Sequence, residues 1–189
     1  MRKLRYPKAL AAALTSLDDA LPAVRREAVG VLGYLKNVQA LPQLARRVID
    51  DPEPGIRLAA VGALAYASDD SVLPALLAAL SDADWQVRQE AAVTLGKLLL
   101  PDSAEGLIRA LADPAWEVRL KAANVLGKLR EPRAITGLME ALQHPVSNLR
   151  KEAAGALGVI GGHAAVAALT VALNDPDVEV RKIAARYLG

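Results

Sequence analysis

Val87-Arg88-Gln89-Glu90-Ala91-Ala92-Val93-Thr94-Leu95-Gly96, with Leu98 just beyond, is the stretch from which the rest of the chain is read. Val87, Ala91, Leu95 and Leu98 follow one another at spacings of four, four and three residues, which places them on one face of an α-helix. The same opening, a valine-like residue and then arginine, returns at Val24-Arg25, Ile56-Arg57, Val118-Arg119, Leu149-Arg150 and Val180-Arg181. Successive copies lie 32, 31, 31, 31 and 31 residues apart. Six copies at a fixed period predict stacked repeats rather than one compact core.

The half-repeat before Val-Arg carries a second stripe, as in Leu73, Leu76, Leu77 and Leu80. Each repeat is therefore predicted to be two antiparallel helices. The chain is expected to be a single all-α domain, with repeats at about 4–36, 37–68, 69–99, 100–130, 131–161 and 162–189. Asp51-Pro52, Asp113-Pro114 and Asp175-Pro176 separate first from second helices, where aspartate is expected to cap and proline to open the helix. Asn37, Ser68-Asp69-Asp70, Pro101-Asp102, Glu131-Pro132 and Gly161-Gly162 mark turns between repeats. The extra residue of the first spacing is expected in the turn near Ile49 to Pro54.

Glycine follows the second-helix leucine as Gly33, Gly96, Gly127, Gly158 and Gly189, but Ala65 stands there in the second repeat. Alanine tolerates a left-handed backbone poorly. The position is therefore expected to stay helical, and to be small because a neighbouring helix passes close to it.

With 189 residues, 53% of them hydrophobic, the chain can bury a sizeable core. The apolar residues are mostly Ala, Leu and Val and Phe is absent, a composition that suits helix packed on helix. Without cysteine there are no disulfides, thiolate metal sites, iron–sulfur clusters or thioether-bound cofactors, and no cofactor is expected. A net charge of +2 is too small to imply nucleic acid or an anionic membrane by itself. The opening Met1-Arg2-Lys3-Leu4-Arg5-Tyr6-Pro7 is charged, but Asp18, Asp19 and Arg25 soon interrupt the apolar run behind it, so no signal peptide is read. No apolar window has the length of a bilayer span. A soluble, cytoplasmic monomer is expected.

Asp175-Pro176-Asp177-Val178-Glu179-Val180-Arg181, and the Ala-Ala-x-x-Leu-Gly pattern seen from Ala91 to Gly96, resemble the short HEAT repeats named after phycobilisome lyases. The resemblance covers the whole chain. It implies an α-α superhelix, a right-handed solenoid of six two-helix repeats of about 31 residues, with second helices lining a concave surface. It also implies a family of bilin lyase subunits, phycobilisome-degradation factors and bacterial scaffolds, and so does not fix an activity. Neighbouring repeats must share their apolar stripes, because a unit this short cannot bury its own.

On a helical wheel at roughly 100° per residue, the Val of Val-Arg, the first Ala, the Leu and the final Leu face the core. The Arg, the second Ala and the Gly point toward a neighbouring repeat. The outward arc holds the second, third, sixth and tenth residues after Val, and these are the candidate site for a protein partner. In the second repeat they are Leu58, Ala59, Gly62 and Tyr66, with no charge among them. Leu58 and Tyr66, flanked by Tyr34 and Val93, are read either as an apolar docking patch or as residues that the curvature of the array covers. Later repeats bring Lys97, Leu120, Asn124 and Lys128 onto the arc, together with Lys121, Lys151, Lys182 and Arg186 against Glu90 and Glu152. That basic lean suits an acidic partner, or an ordinary solvated face with lysines near helix C-termini.

Trp85 and Trp116, two residues before Val, are placed sideways for packing between repeats, although tryptophan is also a frequent binding anchor. Arg25, Arg57, Arg88, Arg119, Arg150 and Arg181 are expected to form a ladder with Asp19, Asp51, Asp82, Asp113 and Asp175. His144 replaces the fifth aspartate, so that Arg150 either lacks that partner or finds Glu152 or another carboxylate. His144 and His163 are the only histidines. No metal set, nucleophile motif or phosphate loop is present, and the paired His-Glu motifs of HEAT enzymes that hydroxylate a modified lysine are absent.

The expected function is therefore a non-enzymatic scaffold that binds a protein partner. An accessory subunit of a chromophore lyase or chromophore-removing system is the alternative that the resemblance brings. Nucleic-acid binding through the basic half, by analogy with HEAT-like DNA glycosylases, is the weakest reading.

Overall fold

The computed structural model describes the backbone of residues 2–189 and the side chains of residues 7–189, so the charged opening stretch Met1–Tyr6 lies outside the side-chain description. Among the described residues there are twelve α-helices and no strand. They pair as α1 (Arg2–Ser16) with α2 (Pro22–Leu35), α3 (Leu41–Asp50) with α4 (Pro54–Ala63), and α5 (Leu73–Ala79) with α6 (Trp85–Leu98). The later pairs are α7 (Ala104–Ala110) with α8 (Trp116–Leu129), α9 (Ile135–Ala141) with α10 (Ser147–Ile160), and α11 (His163–Ala172) with α12 (Val178–Leu188).

Two compact units divide the chain, residues 1–98 and residues 99–189. In the first, α2 packs on α1 and α4, α4 packs on α3 and α6, and α5 packs on α3 and α6. In the second, α8 packs on α7 and α10, while α10 also packs on α9, α11 and α12. Like helices thus stack on like, which lets each short apolar stripe find a cover.

Ile56, Ala60 and Leu64, Val87, Ala91 and Leu95, and Val118, Ala122 and Leu126 are all at most 2% exposed, as the wheel predicts. Each such valine, isoleucine or leucine contributes about 1.5–3 kcal/mol by leaving water. The last residue of the stripe differs: Leu98 and Leu129 close their helices and are only half-buried.

The turn between first and second helix is built differently from the expectation. Proline opens α2 and α4 as Pro22 and Pro54, but the caps before them, Leu21 and Glu53, contribute no side-chain hydrogen bond. The aspartates of the Asp-Pro pairs sit earlier and fold the turn itself. Their Oδ1 atoms accept the N–H two residues on, from Glu53 to Asp51 (3.1 Å), Ala115 to Asp113 (2.8 Å) and Asp177 to Asp175 (2.8 Å). His144 keeps the same turn, its Nδ1 accepting the Val146 N–H at 3.1 Å.

The extra residue is taken up by helix and not by the expected turn. Asp51 keeps its distance of five from Ile56, and α3 runs on to Asp50 where α5 stops at Ala79, so a lengthened first helix absorbs the insertion. Between repeats, one-turn 3-10 helices run over Val38–Ala40, Asp70–Val72, Pro101–Ser103 and Pro132–Ala134. Lys36, Leu99 and Arg130 are left-handed at these junctions although none is glycine, whereas Gly161 and Gly162 supply two positive φ angles before α11.

The glycine after the leucine stays helical in α2, α6, α8 and α10. A Cβ on Gly127 would lie 2.9 Å from Ala156 Cα, and one on Gly158 would lie 2.1 Å from the Tyr187 ring. In the second repeat α4 stops short and a 3-10 turn, Leu64–Tyr66, carries Ala65, while the Thr94 hydroxyl donates to the Val61 carbonyl at 3.3 Å.

Candidate partner-binding face and the arginine ladder

Tyr34 stands on the outward arc of α2 with 85% of its surface exposed. Leu58 on α4 and Val93 on α6 are half-buried. Tyr66 is half-buried too, and its hydroxyl donates to the Asn37 carbonyl at 2.9 Å, so the ring is pinned over the junction before α3. Lys97 is exposed, 3.7 Å from the Glu90 carboxylate. In the second unit Leu120 and Asn124 are half-buried, Lys128 is exposed, and Asn124 Nδ2 donates to Glu152 Oε1 at 2.7 Å. Of the acidic arc residues, Glu152 is thus engaged by Asn124, while Glu90 lies against Lys97, one of the arc lysines. Trp85 and Trp116 are the first residues of α6 and α8, the former exposed and the latter half-buried.

The ladder exists, but its rungs run forward. Arg25 grips Asp51 of the following repeat through Nε and Nη2 at 2.8 and 3.0 Å. Arg57 holds Asp82 at 2.7 and 2.8 Å, and Arg150 holds Asp175 at 2.8 and 2.9 Å. Each guanidinium also reaches back with Nη1 to two carbonyls of its own turn, such as His144 and Pro145 for Arg150. One side chain thus closes its own inter-helix turn and clamps the next. These bidentate pairs are sheltered, with the Arg25 and Asp51 side chains only 8% and 0% exposed.

Forward pairing decides among the alternatives for Arg150, which has its full partner in Asp175, a carboxylate other than Glu152. The arginine that His144 deprives is Arg119, twenty-five residues earlier, whose Nε has turned to its own Asp113 carbonyl. Arg181 donates to the Asp175 and Pro176 carbonyls, and Asp19 accepts the Leu21 N–H.

Burial pushes Asp51 up, but the hydrogen bonds from Arg25 and the Glu53 N–H, with the charges of Arg25 and Arg47, outweigh it and hold the carboxyl below the usual range. Burial is likewise outweighed at Asp82 by Arg57 and the Asp84 N–H. At Asp175 the Arg150 hydrogen bond is the largest influence and also depresses the carboxyl. Sequence reasoning missed Arg47, whose guanidinium reaches Asp18 at 2.8 Å and Asp51 at 3.6 Å. It also missed Glu131, which Arg133 holds down to about 2 through side-chain and backbone hydrogen bonds. The missed signals were a paired Arg46-Arg47 on a first helix and a Glu-Pro-Arg turn.

No helix among the described residues is long and apolar enough to cross a membrane. No curated protein matches the chain. Among solved structures, the complex of CpcE and CpcF of phycocyanin lyase from Nostoc sp. PCC7120 is similar at 25% identity and a TM-score of 0.69, over 93% of this chain and 74% of that one. Human deoxyhypusine hydroxylase in complex with glycerol is similar at 24% identity and a TM-score of 0.51, over 95% of this chain and 83% of that one. A designed armadillo repeat protein in complex with the peptide (KR)4 is similar at 19% identity and a TM-score of 0.74, over 95% and 99%. The latter two likenesses concern the fold alone. The family described as HEAT repeats matches over residues 1–64, 46–115 and 104–189. With helix pairs recurring at a constant period and this family matching over the whole chain, the chain belongs to the HEAT-repeat family.

Proposed function

We propose that the chain is a scaffold that holds a protein partner on the outward arc of its second helices, with α2 and α4 supplying the apolar anchor. The observation that carries this reading is Tyr34, a large ring left 85% exposed next to a repeat whose outward positions bear no charge. Aromatic rings on a rigid helix bury much area at little entropic cost and are the usual centres of binding energy. Leu58 and Val93 extend the apolar surface in the first unit, and Tyr66 gives it a fixed floor through its bond to Asn37. In the second unit Leu120, Asn124 and Lys128 offer a more polar surface, suited to an acidic stretch of the partner. A solenoid of this kind binding a peptide, as the designed armadillo protein does, supports the class of function and not the partner.

The test is affinity purification with quantitative mass spectrometry, using wild type and a Tyr34→Asp, Leu58→Asp double variant. Partner recovery is expected to fall at least tenfold, the loss of about 1.4 kcal/mol or more, with an unchanged circular dichroism spectrum. Equal recovery by a folded variant rejects this face.

The likeness to the CpcE and CpcF complex favours a second reading, an accessory role in chromophore attachment or removal. As the chain has no cysteine, the accepting thiol would belong to the partner. Mixing the protein with a bilin and an apo-phycobiliprotein should then change the visible absorbance, and an unchanged spectrum removes the idea.

A further inference from the structure

Three rungs of the ladder share one arrangement. Nε and Nη2 of Arg25, Arg57 and Arg150 grip both oxygens of Asp51, Asp82 and Asp175. Each aspartate has two tasks, accepting the N–H two residues on and neutralising the arginine of the preceding repeat. From arginine to aspartate the chain runs 26, 25 and 25 residues, and 25 residues after Arg119 stands His144. Both belong to the second unit.

His144 performs only the first task. Its Nδ1 accepts the Val146 N–H at 3.1 Å, so the ring proton is on Nε2. The remaining ring nitrogen is thus a donor where the aspartates offer a second acceptor, and Arg119 has nothing there to pair with. Its Nε donates to the Asp113 carbonyl instead, and neither Nη atom has a hydrogen-bond partner among the described residues. The side chain is half-buried, so it has neither full hydration nor a counter-charge. Carboxylates near it in the sequence are committed or turned away. Asp113 Oδ1 accepts the Ala115 N–H, and Glu152 accepts from Asn124. Glu117, two residues before Arg119, lies about 200° round α8 from it. Lys121 on α8 and Lys151 on α10, both half-buried, add further positive charge.

We propose that the missing rung is an anion site, in which the carboxylate of a ligand takes the place of the absent aspartate between Arg119 and His144. Its two oxygens lie against Nη1 and Nη2 in the fork that a guanidinium offers a carboxylate, and the His144 Nε2–H donates to one of them. The place supplies donors and no acceptor, which suits an oxyanion and excludes a cation or an amine. The chain's own rungs set the precedent, since a carboxylate is what this arginine position holds in three other repeats. A free acid and the side chain of an acidic residue share that chemistry. The site belongs to the ladder and not to the outward arc, so it stands or falls separately from the scaffold reading.

The experiment follows the arginine Nε–H and histidine ring signals by NMR while acetate replaces chloride at constant ionic strength. It uses wild type, His144→Asp, Arg119→Gln and Arg109→Gln. Acetate is expected to move the Arg119 and His144 signals of wild type to a plateau. His144→Asp fills the place with its own carboxylate and Arg119→Gln removes the cation, so each should bind acetate at least about tenfold more weakly. Arg109 is exposed on α7 and paired with Glu105, and its variant, with the same change of charge, should stay within about twofold of wild type. If Arg119→Gln does not fold, His144→Asp decides alone, because it adds a rung. A blocked alanine peptide with a central glutamate then identifies the source. Binding tighter than acetate at the same signals assigns the site to an acidic side chain, and binding no tighter assigns it to a free acid. Wild-type signals that respond to acetate no more than to chloride overturn the proposal. So does a His144→Asp chain that binds acetate as well as wild type, or an Arg109→Gln chain that loses as much as Arg119→Gln.

Discussion

Arg150 and Arg119 occupy the same place in consecutive repeats and differ in what faces them. Arg150 meets Asp175 and is buried, whereas Arg119, opposite His144 in register, is half-buried and has folded back to its own turn. His144 nevertheless supplies the acceptor that keeps its turn closed. Replacing His144 with Asp should preserve that acceptor and add a rung to Arg119. The expected gain is about 1 kcal/mol, read as a higher urea midpoint with an unchanged slope. An unchanged or lower midpoint would show that Arg119 does not turn toward the new carboxylate. Arg25, Arg57 and Arg150 with Asp51, Asp82 and Asp175 were legible as ladder members because period and chemistry coincide, whereas Arg119, Arg181 and Asp19 form no rung among the described residues. The ladder's direction was not legible. An arginine six residues after one aspartate and twenty-five or twenty-six before the next looks equally served by both until the helices are placed, and the carboxylate that Arg150 takes was consequently left open.

Within α8 and α10, two glycines with different surroundings separate crowding from propensity. Gly127 faces the α10 backbone, with Ala156 Cα 2.9 Å from the place of a Cβ, while nothing lies within 4 Å of that place at Gly155. Gly127→Ala should force two helices apart and cost about 1–3 kcal/mol. Gly155→Ala should stabilise its helix by about 0.5–1 kcal/mol. Thermal melts of the two variants check the contrast, and shifts of the same sign would refute it. Helix identity and the buried Val, Ala and Leu positions could be read from periodicity alone. Helix ends were less legible, since the left-handed Lys36, Leu99 and Arg130 carry no glycine signal, and α3 hides its extra residue inside a regular helix. At the proposed binding face, the wheel put Tyr34 on the outward arc but left open whether curvature covers it, and the bond that pins Tyr66 to Asn37 depends on a backbone carbonyl that no residue pattern announces.

Across the whole molecule the same rung recurs, so acid acts on many repeats together. Asp51, Asp82 and Asp175 all have depressed folded-state values, which means the unfolded chain binds protons first on acidification. Their stabilisation is complete above the ordinary aspartate pKa of about 3.9 and is lost as pH falls below it. Glu131, at about 2, adds to the same slope. Melting temperature should therefore fall as pH drops from about 5 toward 2. Asp175→Asn keeps the oxygen that closes its turn but loses the charge. It should melt lower at neutral pH, by about 2–3 kcal/mol, and show a shallower acid slope, whereas parallel curves would exclude Asp175 as a contributor.

A ladder in which Arg25, Arg57 and Arg150 each reach forward to the aspartate of the following repeat has a genetic corollary. Excising 31 consecutive residues that begin between Arg57 and Asp82 brings Asp113 into the place of Asp82, facing Arg57. Unequal recombination can then lengthen or shorten such a protein without leaving a mismatched seam, and a lineage is free to change how many modules it carries before it changes any one of them.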